Sequence, residues 1–260
     1  MISDIKAIEK EAQKLLDEQK FDDAAKLFSE AARSFQESGE HKQSAICFTS
    51  AASCCEFKAG RQSLYYYAAS YYEKGAQEAE KSGDYEYASM LYKHAGICHE
   101  RDLGYVGFSE CFFLSQECYR KSLTPNLKFW VRHTPFGTKT KGPNFKTAFK
   151  RFFTWISLTF SSLLWGHGER PQRTIIFGGF LILFSAIFYN QGHLVFTNIV
   201  RKPSFMEAIY FSYITVTRIG YGDILPVGFN KVLAVFQEFT GIFLIPIFIT
   251  GLCRKYLRFF

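Results

Sequence analysis

The chain has 260 residues, 31 Lys and Arg against 24 Asp and Glu, and 48% hydrophobic residues, averages that suit an ordinary soluble protein. They hide a division. No charged residue lies between Thr174 and Tyr189 and only Glu238 between Leu233 and Cys253, whereas the first 123 residues are rich in Glu, Lys, Gln and Ser. A single globular enzyme is therefore excluded as the starting assumption, and the pattern offers no nucleophile with a base, no phosphate loop and no metal-ligand cluster. No catalysis and no cofactor is expected.

Residues 1–123 read as a cytoplasmic helical repeat. Met1 to Gln19 alternates charges with Ile5, Ile8 and Leu15 at helical spacing, which predicts a helix and no secretory leader. Phe28 with Ala31, Phe48 with Ala51, Tyr92 with Ala95 and Phe112 with Ser115 repeat a bulky-then-small pair about every twenty residues, and Tyr71 lies in the intervening segment. Gly39, Gly60, Gly83 and Gly104 fall near segment ends, where a left-handed residue stops a helix. One amphipathic helix cannot bury its apolar stripe alone, so the segments are expected to stack as antiparallel pairs into an alpha-solenoid. Six of the seven cysteines, Cys47, Cys54, Cys55, Cys98, Cys111 and Cys118, sit on these faces without a CxxC pair. They read as buried thiols of a reducing compartment, neither a disulfide framework nor a metal site. Tyr65, Ala68 and Tyr72 share a helical face and are expected in the core.

The run Ala12, Leu15, Phe21, Ala24, Phe28, Ala31 resembles the tetratricopeptide repeat family, although the closing proline is absent and a helix pair takes nearer forty residues than thirty-four. The resemblance implies a scaffold that assembles or regulates the membrane part, or a groove for a protein or peptide ligand.

Residues 124–148 form a basic linker. Between Cys118 and His167 there is no Asp or Glu, while Arg120, Lys121, Lys128, Arg132, Lys139, Lys141, Lys146, Lys150 and Arg151 are positive, and Pro125, Pro135, Gly137, Gly142 and Pro143 punctuate the stretch. Such charge beside apolar spans belongs on the cytoplasmic face, against anionic lipid head groups, and nucleic-acid binding is not expected. Residues 149–171 read as an interfacial aromatic helix and connector, through Phe152, Phe153, Trp155, Phe160 and Trp165.

Residues 172–260 read as a two-span pore domain. Thr174 to Tyr189 would be about 24 Å long as a helix, short of a hydrocarbon core of about 30 Å, so flanking residues must extend it. Val232 to Cys253 is long enough, and Arg254, Lys255 and Arg258 hold its end on the cytoplasmic side. Both termini are then cytoplasmic and the protein sits in the inner (plasma) membrane of the cell. Between the spans, 203–226 is too apolar for an exterior loop and too short for two crossings. It is expected to re-enter the membrane as a short helix capped by Ser204 followed by extended chain, which is tolerated only where protein buries it or water reaches it.

The run Thr215, Val216, Thr217, Arg218, Ile219, Gly220, Tyr221, Gly222, Asp223 closely resembles the filter of the potassium channel pore family, with span, pore helix, filter and span in the family's order over residues 174–253. The resemblance implies a homotetramer that conducts potassium as its permeant ligand, held by backbone carbonyls of Ile219, Gly220 and Tyr221. Tyr210 and Phe211 take the places of the aromatic cuff, and Trp165 to Pro171 looks like the connector of bacterial two-span members with cytoplasmic repeats. Gly241 lies near the family's hinge glycine, and Pro246 would kink the second span; either could serve as a gating hinge or as a packing feature. Arg218 departs from the family, which has threonine there. Four guanidinium groups would crowd the inner mouth, and pairs about 8 Å apart at an effective dielectric of 20 repel by about 2 kcal/mol. Glu238, the acid of the second span, is the expected partner of Arg218; the alternative is a Glu238 bonded to a pore-helix hydroxyl or water.

Overall fold

The computed structural model describes residues 2–58, 63–124, 132–133, 139–140, 145–197 and 199–256. The chain divides into two compact units at residues 160 and 161.

The first unit is a run of helices, α1 (Ile2–Asp17), α2 (Phe21–Glu37), α3 (His41–Phe57), α4 (Ser63–Lys81), α5 (Tyr85–Arg101) and α6 (Tyr105–Ser122). Each packs mainly on its neighbours in sequence, and connections as short as 18–20 and 38–40 force antiparallel pairing. Ala24, Ala31, Ala45, Ala51, Ala68, Ala88 and Ala95 are fully shielded and let the helices approach, while Phe28, Phe48 and Tyr92 fill the space between them. Tyr72 and Ala68 are buried and Tyr65 packs on the same cluster, as the shared face requires, while Tyr66 and Tyr67 are exposed.

Two details differ from the repeat pattern. In the last segment the buried aromatic is Phe113, while Phe112 is half-buried and stacks on Phe108, so the helix has rotated by one position. Gly39 and Gly83 take left-handed conformations as expected, but Leu103 does so in place of Gly104, which instead starts α6. A non-glycine in this region costs about 1–2 kcal/mol, offset here by the Gly104 amide bonding to the His99 carbonyl. Gly60 lies outside the described residues.

Burial pushes the thiols of Cys54 and Cys55 up to about 11 and those of Cys47, Cys98 and Cys118 up to about 12, so they are unreactive thiols at neutral pH. After α6 a two-residue antiparallel pair joins β1 (Arg132–His133) to β2 (Lys139–Thr140). Lys128, Lys141, Pro125, Pro135, Gly137, Gly142 and Pro143 of the basic stretch lie outside the described residues. Helix α7 (Phe145–Trp165) follows, beginning four residues before the expected Phe149 and leaving Phe149, Phe153, Phe160 and Leu163 exposed.

The second unit holds α8 (Gln172–Gln191), α9 (Phe205–Val216) and α10 (Phe229–Tyr256), each packed on the other two. The first span is longer than its uncharged core: at 20 residues it reaches about 30 Å. Over an apolar stretch of 18 residues only 28% of α8 and 22% of α10 is buried, whereas a core helix of a soluble protein is mostly buried. Their apolar outer faces therefore need lipid or further protein. A three-stranded antiparallel sheet, β4 (Ile199–Arg201), β3 (Leu194–Phe196) and β5 (Ile224–Pro226) in that order, was not expected from the sequence. Strands of three residues carry too few alternations to register as a pattern. Among the described residues the architecture is all-α apart from these short strands.

Candidate ion-filter site

The site is built on α9. Ser204 caps the helix through a complete capping box, its Oγ accepting from the Glu207 amide while the Glu207 carboxylate accepts from the Ser204 amide. Arg201 extends the arrangement by donating to Glu207 at 2.8 Å while its guanidinium lies 3.8 Å from the centre of the Phe196 ring. Strand β4 is thereby fastened to the start of the helix.

At the other end the helix closes with amides of Thr217, Arg218 and Ile219 bonding back to the carbonyls of Tyr213, Thr215 and Ile214. The chain then takes positive φ at every second residue: Arg218 at 58°, Gly220 at 52° and Gly222 at 77°. Extended chain of one handedness points successive carbonyls to opposite sides. Alternating left-handed residues with right-handed ones turns them toward the same side, which is what a row of oxygens for a dehydrated cation requires. Glycine accepts positive φ freely at 220 and 222, whereas Arg218 does so at a cost of about 1–2 kcal/mol. The outer end is held at Asp223, which accepts from the Tyr210 hydroxyl at 2.9 Å, and by β5, which pairs residue for residue with β3.

Behind the filter lies a polar network that sequence reasoning missed. Gln237 of α10 is fully buried and donates to Ser212 Oγ at 2.6 Å and to the Ser212 carbonyl at 3.2 Å. The Tyr189 hydroxyl of α8 donates to Gln237 Oε1 at 2.8 Å, and Ser212 Oγ donates to the Ile182 carbonyl at 2.8 Å. Four groups from three helices are mutually satisfied inside an apolar shell, where each unpaired one would cost about 1–3 kcal/mol. Phe211 packs edge-on against Tyr189 at 4.8 Å and completes the shell.

The expected residues divide accordingly. Thr217, Arg218, Ile219, Gly220, Tyr221, Gly222 and Asp223 form one continuous segment following α9, with Tyr210 and Phe211 on the helix behind it. Arg218 and Glu238 are both exposed in the protomer, and the expected ion pair between them is not formed among the described residues. The reason is helical phase. Asn230, Ala234, Gln237, Gly241 and Leu244 mark the inward face of α10 at three- and four-residue steps, and Glu238 stands about 100° off it. Gly241 faces the end of α9: a Cβ there would collide with the Val216 carbonyl oxygen. That close approach requires a glycine at 241 on packing grounds. Pro246 lies inside the continuous helix α10.

Residues 176–258 match the family model described as an ion channel. The match begins inside α8, takes in α9 and the whole filter segment, and ends just past α10, so it supports a membrane-embedded ion channel for the second unit. Neither a curated protein nor a solved structure matches the chain.

Proposed function

We propose that the chain forms a homotetrameric, potassium-selective or related cation channel, gated through its cytoplasmic repeat domain. The observation that carries the reading is the alternation of positive φ at 218, 220 and 222 directly after a capped helix lodged between two apolar spans. One chain supplies one row of carbonyls and a dehydrated ion needs a cage, so four copies meet on an axis. Ile219, Gly220 and Tyr221 contribute the oxygens, and Asp223 and Tyr210 hold the outer end. The exposed aromatic face of α7 lies at the membrane interface, the basic stretch before it faces anionic lipid, and both termini are cytoplasmic.

Gating acts where the connector before α8 meets the end of α10. Glu169 is buried and accepts from Arg254 at 3.2 Å. Gly168, at φ +89°, leaves room for that guanidinium, whose Nη1 would lie 2.8 Å from a Cβ, and Pro171 packs on Gly251. The end of α7 is fixed to the start of α8, since Arg173 donates to the Ser162 carbonyl at 2.6 Å and Thr174 to that of Leu164 at 3.0 Å. A displacement of the connector therefore reaches the inner end of the second span through the Glu169 to Arg254 ion pair and the Pro171 to Gly251 contact.

A second reading has its own observation. A charged side chain at position 218 opposes cation entry, and a pore built this way could be a non-conducting membrane scaffold or signalling protein. Flux into potassium-loaded liposomes separates the two. The channel reading expects potassium-driven flux that Gly220→Asp abolishes; no flux from the wild type or from Arg218→Thr establishes the scaffold.

A further inference from the structure

Helices α4, α5 and α6 each bring one metal-ligating side chain to a common point in the repeat domain. A carboxylate oxygen of Glu73, a ring nitrogen of His99 and the sulfur of Cys111 all lie within 4.8 Å of one another, the one such trio found among the described residues. His99 Nε2 is 2.6 Å from Glu73 Oε1, and Cys111 Sγ donates to the same oxygen over 3.3 Å. Positions 73, 99 and 111 share no ligand spacing in the sequence, which is why the expectation of plain buried thiols, with no metal-ligand cluster, missed the trio. Cys111 thus differs from the other buried thiols in facing both a carboxylate and an imidazole.

We propose that Glu73, His99 and Cys111 form a zinc site. One thiolate, one imidazole and one carboxylate are a borderline donor set that suits Zn2+ and is too soft for Mg2+ or Ca2+. Zinc bonds of about 2.3 Å to sulfur and about 2.05 Å to nitrogen and oxygen set tetrahedral edges near 3.6 Å for S···O and near 3.3 Å for N···O. The sulfur and oxygen already stand close to that separation, and the His99 to Glu73 contact opens by about 0.7 Å to admit the ion. Glu73 can make that movement because its side chain is 36% exposed, whereas His99 at 14% is held. The imidazole owes its seat to Gly107, where a Cβ would lie 2.6 Å from both Cε1 and Nδ1 of His99. On binding, His99 offers Nε2 with its proton on Nδ1, Cys111 binds as thiolate and releases its proton to solvent, and water takes the fourth position on the Glu73 side. The ion then ties together three successive helices that otherwise meet at this point through packing and the hydrogen bonds of His99 and Cys111 to Glu73.

The full chain, purified in detergent and stripped with a chelator, is titrated with Co2+ and then with Zn2+. The wild type gives a thiolate-to-cobalt charge-transfer band in the near ultraviolet, which zinc displaces at about one ion per protomer. Cys111→Ser loses the band and Cys54→Ser, at another buried thiol, retains it. Glu73→Gln, at a half-exposed position that does not threaten folding, weakens zinc affinity about tenfold or more. Absence of the band in the wild type overturns the site, and so does a band of equal strength in Cys111→Ser or an unchanged affinity in Glu73→Gln.

Discussion

Gln237 shows how one side chain can fix the relation of three helices. It satisfies Ser212 and Tyr189 at once and is itself fully buried, so Gln237→Leu would keep the volume, take the acceptor from the buried Tyr189 hydroxyl and leave Ser212 Oγ only its bond to the Ile182 carbonyl. A loss of about 2–3 kcal/mol in unfolding free energy is expected, read as a lowered melting temperature of the detergent-solubilised protein. At Gly241 the cost is steric: Gly241→Ala drives a methyl group into the Val216 carbonyl, which backbone geometry prevents from yielding, and overpacking of this kind costs about 1–3 kcal/mol. An unchanged melting temperature for that variant would contradict the packing role of Gly241. Glu238 stood out in the sequence because it is charged, and Gln237 did not because it is neutral. Only the phase of α10 reveals that the quiet neighbour points inward. The filter motif was legible for the opposite reason, since Gly220 and Gly222 answer a backbone requirement written in the residue type itself.

At the scale of elements, the junction of α2, α3 and α4 turns on Glu78, whose carboxylate is almost fully shielded and receives Gln36 at 3.0 Å, His41 at 2.7 Å and Lys81 at 2.7 Å. Burial pushes the carboxyl up, but the hydrogen bonds from Lys81 and His41 more than offset it and hold it below its ordinary 4.5. A depressed carboxylate contributes stability that is complete above the unfolded value and disappears as the pH falls through the folded one. Glu78→Gln should therefore lower stability by about 1–2 kcal/mol at pH 7, with the gap between variant and wild type closing below pH 4.5 in thermal melts. A gap that widened on acidification would contradict the assignment. The Glu169 to Arg254 pair makes a prediction of a different kind. Glu169→Gln releases the end of α10 from the connector, and flux at rest should rise severalfold if that pair holds the inner mouth closed; unchanged or reduced flux would remove the coupling. Helices of sixteen residues or more with small residues at each crossing were readable from spacing. The β3, β4 and β5 sheet was not, because its three-residue strands are too short to show a period and β5 pairs with β3 across the whole pore helix and filter.

For the whole molecule, the decisive feature is surface left over. Spans α8 and α10 bury little within the protomer, and Ile219 and Tyr221 of the filter segment are exposed, which a lone chain in a membrane could not sustain. In the proposed tetramer, assembly around the filter would cover those carbonyls and side chains and leave the aromatic outer faces to lipid. The sequence announced this division through the distribution of charge, since the uncharged stretches coincide with the cores of the two spans. It could not announce which surfaces copies share, because contacts between chains leave no period in one chain. A density map of the detergent-purified protein with thallium in place of potassium tests the central claim most directly. The account predicts a fourfold particle with ion density on its axis, ringed by the carbonyls of Ile219, Gly220 and Tyr221. Any other symmetry, or an axis without ions, would contradict it.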